Sequence, residues 1–582
     1  MDSLRTVWPY LRPYRLAYLF GLLAVLGANG FRTLIPRFLQ HGIDAISAGA
    51  PRVELYRVLF LLLGAALLGG ICRYVMRQLL NSASRKVETD LRDALFAHLE
   101  RQSATFFDRH TSGDLIARAT NDLQNVRMVA GPAMMYLVDT FVLTILIIPM
   151  MAATSGRLTL WVMVPLAVLP VVMVWFGCRI HERTQAIQSH FGVLTDHVVE
   201  NLSGVRIIRA YRQEQAESTE FTRLSEEYKK RNMALVQVSG VFHPALGLLA
   251  GGGTIIILWV GGNQVMAGAI TIGAFVAFGM YLAQLIWPMI ALGWAVSLVQ
   301  RGAASMKRIN EVFAATPTIL EPAEPTPLPQ ATGPRTLAME GVSFKYPGAA
   351  DRGWVLRDIS FHLAAGESLA VVGATGSGKS TLVELLTRAY DPTEGRVLVD
   401  GLDIRRIRLA DLRRAVSHVP QETFLFSATV RDNVLFGMPD DGRLERSAEQ
   451  AELTEALPSL PQGYDTLLGE RGINLSGGQK QRTAIARALA KDAPIFLLDD
   501  ALSAVDAQTE AAILTNLRSA LAGKTTVIVS HRLAAVKDAS RIIVLDEGRI
   551  VEEGTHAELI RREGKYWELI RRQQLEEALE SS

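Results

Sequence analysis

The 582-residue chain is 49% hydrophobic, 20% charged and has a mean hydropathy of +0.20, so it is too long for one domain and too apolar for an ordinary soluble protein. Its 60 basic and 58 acidic residues leave a net charge of +2, which gives no global attraction for a nucleic acid. Cys72 and Cys178 both lie in or beside apolar runs; they offer no disulfide framework or CxxC metal site and read as small buried hydrophobes.

Residues 1–15, with Trp8, Tyr10, Arg12, Tyr14 and Arg15, lead straight into a run of full membrane length, which reads as an interfacial segment rather than a cleavable signal. Runs near 16–37, 56–77, 131–153, 158–179, 241–264 and 269–297 are each long enough to cross a hydrocarbon layer of about 30 Å. Arg32, Pro36 and Pro288 blur the edges at 31–37 and 288–297. The stretch 81–129 holds seven Lys or Arg residues, and 180–240 holds Arg183, Arg206, Arg209, Arg212, Arg223, Lys229, Lys230 and Arg231; the loop 154–157 has only Arg157 and 265–268 has no charge. The basic loops therefore belong in the cytoplasm together with both termini. Their helical periodicity, Leu91, Leu95 and Leu99 in one and Val198, Leu202 and Val205 in the other, makes them cytoplasmic continuations of the spans. Asp139, the one acid well inside a span, needs a partner or a wet cavity. In the sixth span Gln284, Trp287 and Pro288 fit a pathway lining or plain helix packing.

Proline at 317, 322, 325, 327, 329 and 334 makes 314–336 an extended linker. Beyond the linker the run Gly373-Ala-Thr-Gly-Ser-Gly378-Lys379-Ser380 carries a P-loop pattern, so the chain divides into a six-helix transmembrane domain with an N-terminal interfacial helix at 1–313, the linker, and a nucleotide-binding domain with a C-terminal helix at 337–582. The fold class expected is an α-helical transmembrane domain with long cytoplasmic extensions fused to an α/β P-loop ATPase domain.

In that last domain the apolar run 368–372 leads into Gly373-Ala-Thr375-Gly376-Ser377-Gly378-Lys379-Ser380-Thr381 and then into a helical start. This is the strand, glycine-rich turn and helix of a P-loop: backbone N–H groups surround a phosphate, Lys379 reaches the β and γ oxygens, and Ser380 ligates Mg²⁺. Asp499, closing the apolar run 495–498, belongs beside that metal. The run Leu475-Ser476-Gly477-Gly478-Gln479 offers a hydroxyl, backbone N–H groups and a helix start for phosphate.

These motifs in this order, fused behind six spans, resemble a half-transporter of the ABC exporter family over roughly residues 10–570. The resemblance implies ATP and Mg²⁺ as cofactors and a multi-pass protein of the bacterial cytoplasmic membrane that moves amphipathic drugs, peptides or lipids outward. It implies that Tyr346 stacks on adenine, that Gln421 senses Mg²⁺ and the attacking water, and that His531 contacts the γ-phosphate. It also implies that Ser476 to Gln479 close over ATP held by a second half-transporter, that 503–506 crosses between the two sites, and that 468–472, 106–108, 113–115 and 200–211 belong to contacts between ATPase domains and membrane-domain loops.

One residue departs from the family pattern. Asp500 stands where a Glu usually activates water, and its carboxylate falls about 1.5 Å short; misplacement by about 1 Å costs on the order of 10²-fold in rate. That resembles the hydrolysis-impaired member of the heterodimeric multidrug and peptide exporters akin to the antigen-peptide transporter, with an intact signature run completing the partner's site. A homodimeric multidrug or lipid exporter and a nucleotide-gated, non-transporting regulator are the competing readings. The charged run 555–579 reads as a terminal helix, solvated or touching a partner's tail.

Overall fold

The computed structural model describes residues 2–329, 333–347, 353–469 and 472–580, without the side chains of 243, 250, 507 and 576–580. The chain forms two compact units, residues 1–100 with 111–315 and residues 101–110 with 316–582.

In the first unit six helices are long and apolar enough to cross a membrane: α1 Asp2–Ser47, α2 Arg52–Leu99, α3 Ser112–Thr154, α4 Gly156–Ser203, α5 Glu214–Met266 and α6 Ile272–Ala314. Each is 43 to 53 residues long, about 65–80 Å of helix against a hydrocarbon layer of about 30 Å, so every one continues well past its apolar run. The polar continuations are held by buried charge. Glu88 on α2, only 8% exposed, pairs with Arg85, Arg92 and Arg127, and Asp122 on α3 receives Ser305 and Arg308 from α6.

The first span does not end where Arg32 and Pro36 suggest; α1 runs through both to Ser47. A helical proline frees the carbonyl four residues earlier, which must be satisfied inside a membrane. Pro36 frees Arg32 O, and Gln284 Nε2 of α6 donates to it at 3.3 Å. Pro288 of α6 likewise frees Gln284 O, and Arg32 Nη2 donates to that at 3.5 Å. The two proline-broken helices thus satisfy each other. Asp139 has a partner too, because Asn29 Nδ2 donates to its Oδ1 at 2.8 Å. The N-terminal residues pack on the far end of α6, with Ser3 Oγ donating to Ala303 O and Asn310 Nδ2 to Ser3 O.

The second unit is α/β. A six-stranded sheet has the order β10-β9-β3-β8-β7-β6, where β3 is Ser368–Gly373, β6 Val416–Val419, β7 Ile495–Asp499, β8 Thr525–Val529, β9 Arg541–Asp546 and β10 Arg549–Gly554. The four pairs from β9 to β6 are parallel and only β10 runs antiparallel. The four-stranded sheet β2-β1-β4-β5 is antiparallel, with β1 Leu337–Phe344, β2 Leu356–Leu363, β4 Glu394–Val399 and β5 Leu402–Asp403. The inner strands read as near-continuous apolar runs because helices cover both faces. The linker is extended, with Thr326 exchanging backbone hydrogen bonds with Arg406 and Arg408 and Thr336 O accepting one from Asp400 N; residues 330–332 lie outside the described residues. The terminal helix Lys565–Glu580 is no wholly solvated tail: Tyr566 is fully buried, Ile570 joins the same core, and Tyr566 OH meets His556 Nδ1 at 2.7 Å.

The proline clasp makes a coupled prediction. Gln284→Leu strands Arg32 O in an apolar setting and costs about 1–2 kcal/mol. Pro36→Ala restores an N–H for that carbonyl, so the same Gln284→Leu change costs much less in the Pro36→Ala background. Thermal unfolding of the four proteins in lipid nanodiscs checks this; equal costs in both backgrounds refute the clasp.

Candidate functional site

Parallel strands in register end at one edge of a sheet, where open α/β folds bind ligands. Here Val371 of β3 lies opposite Val529 of β8, and Val529 lies opposite Asp499 of β7. The C-terminal ends therefore deliver Gly373, Asp499, Asp500 and His531 to one place, and Gln421 follows β6. They line a cavity of about 310 Å³ with Thr375, Gly376, Gly378, Lys379, Ser380 and Thr381.

Gly378 is the N-cap of the helix α7, Lys379–Leu386, at φ +101°. A Cβ there would sit 2.6 Å from Leu356, so both the left-handed turn and the packing demand glycine. Lys379 Nζ donates to Gly373 O and Ala374 O, each at 2.9 Å. Burial lowers its pKa, against the pull of Asp500 and Asp499. Ser377 is buried and its Oγ has no hydrogen-bond partner among the described residues.

Three oxygens converge at the strand ends. Ser380 Oγ donates to Gln421 Oε1 at 3.5 Å, and Asp499 Oδ1 is buried without a hydrogen-bond partner among the described residues. Burial pushes the Asp499 carboxyl up, with Ser380 and Lys379 opposing and Asp500 adding to the rise.

Asp500 occupies the left-handed region at φ +46°, uncommon for a non-glycine residue and frequent at functional sites. Its backbone N–H donates to Val529 O at 2.8 Å, so the turn is fixed by the neighbouring strand. Its Oδ1 lies 3.1 Å from His531 Nδ1. The Asp500 carboxylate raises the His531 pKa above its usual 6.5, and burial, Arg532 and Lys379 oppose the rise.

Tyr346 is held outside the phosphate cavity. Its hydroxyl donates to Glu384 Oε2 at 2.8 Å and lies 2.9 Å from Thr381 Oγ1, and its ring stands edge-on to Phe344 and Tyr390. Burial pushes its hydroxyl to a pKa of about 12. Tyr390 in turn donates to Asp108 Oδ2 at 2.7 Å, so the short helix Ala104–Arg109 is tied beside the tyrosine cluster.

The run 475–479 does not line this cavity. Ser476 caps the helix α8, Gly477–Lys491: its Oγ accepts from Gln479 N, and Gln479 Oε1 accepts from Ser476 N, a capping box. Gly477 and Gly478 lie so close to Ala504 that a Cβ on either would sit 3.2 Å from it. The segment 503–506 is pinned by residues that sequence reasoning did not single out. Gln481 bonds Ser503 Oγ and Ala504 N at 2.9 Å, and Arg532 reaches Ser503 O. Both flank motif residues, at 479 and 531, which is the only signal that could have found them. Of the other expected contact residues, Glu470 and Arg471 lie outside the described residues.

The sequence matches the family models "ABC transporter transmembrane region" over residues 18–289 and "ABC transporter" over residues 356–503. It is 39% identical over 573 residues to the probable multidrug resistance ABC transporter ATP-binding/permease protein YheI of Bacillus subtilis, covering 97% of both chains. It is 34% identical to an ATP-dependent lipid A-core flippase of Cupriavidus metallidurans, covering 97% of this chain and 95% of the relative. A bacterial Atm1-family ABC exporter solved with ATP bound superposes with a TM-score of 0.79 at 27% identity, over 96% of this chain and 99% of that one. With six spans fused to an ATP-binding P-loop domain, the chain belongs to the ABC transporter family as an exporter half-transporter, an ATP hydrolase and translocase of the bacterial inner membrane whose ATPase domain is cytoplasmic.

Proposed function

We propose that this chain is one half of an ATP-driven exporter that moves amphipathic drugs, lipids or peptides out of the cytoplasm, and that its own nucleotide site binds ATP better than it hydrolyses it. The observation that carries this reading is the Asp500–His531 pair at 3.1 Å, set among the P-loop and strand-end residues.

In this reading Gly373 to Thr381 wrap the phosphates, Lys379 leaves the two loop carbonyls for the β and γ oxygens, and Tyr346 offers its ring face to adenine. The donor set fits Mg²⁺: Ser380, Gln421 and Asp499 present oxygens, which that ion prefers, and Asp499 Oδ1 is the orphaned atom. Bound there, Mg²⁺ would neutralise charge building on the phosphates. Asp500 is the group available to orient or deprotonate water, and His531 steers it. Ser476, Gly477, Gly478 and Gln479, remote from this cavity and rigidly capped, suit closure over nucleotide on a second subunit.

The identity of that subunit has two readings. Relatives described as a multidrug resistance protein and as a lipid A-core flippase favour the simpler assembly, two copies of this chain with two identical sites, exporting drugs or lipids. The Asp in place of Glu at 500 favours a different partner chain with a complete site, as in the heterodimeric multidrug and peptide exporters. Native mass spectrometry of the complex purified through this chain separates them: 63.8-kDa chains alone establish the homodimer, and a different chain at one-to-one ratio establishes the heterodimer.

Two further outcomes follow in either assembly. Asp500→Glu should raise single-turnover phosphate release at this chain's site by on the order of 10²-fold with ATP affinity little changed; an unchanged or lower rate overturns the short-carboxylate argument. His531 should titrate above 6.5, because the raised pKa comes from Asp500. The stabilisation from that pairing is full below the unfolded pKa and is lost as pH rises through the folded one. Asp500→Asn should bring the midpoint seen by histidine NMR to 6.5 or lower.

A further inference from the structure

The proline clasp places a guanidinium deep in the membrane unit and leaves most of it unused. Near the ends of α1 and α6 remote from the N-terminal packing, Gly273 N donates to Asp44 Oδ1 at 3.0 Å. Arg32 lies twelve residues along α1 from Asp44, about 18 Å of helix. Its side chain makes a long hydrogen bond to Gln284 O at 3.5 Å, which occupies one of five N–H donors. Gly27 would meet Cys72 and Gly69 would meet Phe31 if either glycine carried a Cβ, so α1 and α2 touch at this level and bring Arg73 near. Asn29, three residues before Arg32 on α1, holds Asp139, so that carboxylate of α3 reaches the same level. Among the described residues neither arginine forms an ion pair with a carboxylate, and Asp139 is already engaged by Asn29, itself 1% exposed. Two arginines therefore share this level with one carboxylate in a setting where unpaired charge is costly. Gln284 Oε1, on the other arm of the clasp, is buried without a partner among the described residues, so that oxygen lacks a donor while the arginines lack an anion.

We propose that Arg32, supported by Arg73, binds the anionic head, a carboxylate or a phosphate, of the exported solute. This rests on the export reading above and names its substrate class. The clasp explains why Arg32 holds one orientation; it does not account for the net positive charge, and an anion does. Asp139 sets the strength of that preference by partly neutralising the cluster.

The test is ATP-driven uptake into inside-out proteoliposomes of the complete transporter. One probe pair is a fluorescent amphipathic peptide with a free C-terminal carboxylate and its C-terminal amide. The other is a labelled lysophosphatidate and the neutral monoacylglycerol. The wild type should favour the anionic member of at least one pair by about tenfold, the scale of one charge-assisted interaction. A preference limited to the peptide pair assigns a peptide carboxylate, and one limited to the lipid pair assigns a phosphate headgroup. Arg32→Gln should bring the ratio close to one, Arg32→Lys should keep part of it, and Asp139→Asn should widen it. No preference in the wild type, or a ratio that Arg32→Gln leaves intact, overturns the proposal. If Arg32→Gln does not fold, Asp139→Asn decides, because a ratio it fails to widen refutes the electrostatic account. A wild type that moves the neutral probes without preference sinks this inference alone, whereas one that moves none of the four removes the export reading beneath it.

Discussion

The parallel register of β3, β8 and β7 is the constraint on which the nucleotide chemistry depends. Lys379 precedes Asp499 and Asp500 by more than 100 residues and His531 follows them after a helix and a strand, and they meet because Val371, Val529 and Asp499 occupy one level of the sheet. A one-residue slip in a strand turns its side chains to the opposite face. It would also carry Asp500 N away from Val529 O, the 2.8 Å bond that fixes the left-handed turn. Precision at the γ-phosphate position is thus inherited from apolar strands that never touch nucleotide.

The membrane unit solves a different problem with different means. Its helices must lose no backbone hydrogen bond in hydrocarbon, yet Pro36 and Pro288 each remove one. Arg32 and Gln284 repair the other helix's break rather than their own. Such crossed repair couples α1 to α6, since neither can rotate or slide without exposing a carbonyl in both. Further toward the polar ends, Glu88 gathers Arg85 and Arg92 of its own helix and Arg127 of α3, and Asp122 gathers Arg308 of α6, and burial makes those carboxylates intolerant of separation from their partners.

Sequence reading found what depends on local pattern. The six apolar runs, the P-loop, Asp499, and the helix that Ser476 caps all carry a signal within a few residues. It placed the first span's edge at Arg32 and Pro36 because a local rule treats both as interruptions, whereas the structure carries the helix through by a contact with Gln284, 252 residues away. Asp139's partner Asn29, the burial of Tyr566 and the pinning of 503–506 by Gln481 and Arg532 were missed for the same reason. Each is a tertiary pairing whose members look ordinary in their own neighbourhoods. Asp500 was singled out early because it departs from a motif, but its pairing with His531 and its left-handed backbone needed the fold.

That pairing bears on how a weak hydrolytic site can still drive transport. A ligand shifts a conformational equilibrium by its differential affinity for the two states, and hydrolysis only resets the shift. Lys379 held on two loop carbonyls and Asp500 held on His531 are arrangements that ATP must exchange for contacts to phosphate and, through Ser476 to Gln479, to a second subunit. On the proposed reading, an Asp at 500 would leave those binding contacts in place, slow the reset and prolong the ATP-closed state. Arg32 belongs to the opposite phase of the cycle: its unsatisfied charge favours whichever membrane conformation admits an anion. Drug, lipid and peptide cargo then differ chiefly in whether they carry one.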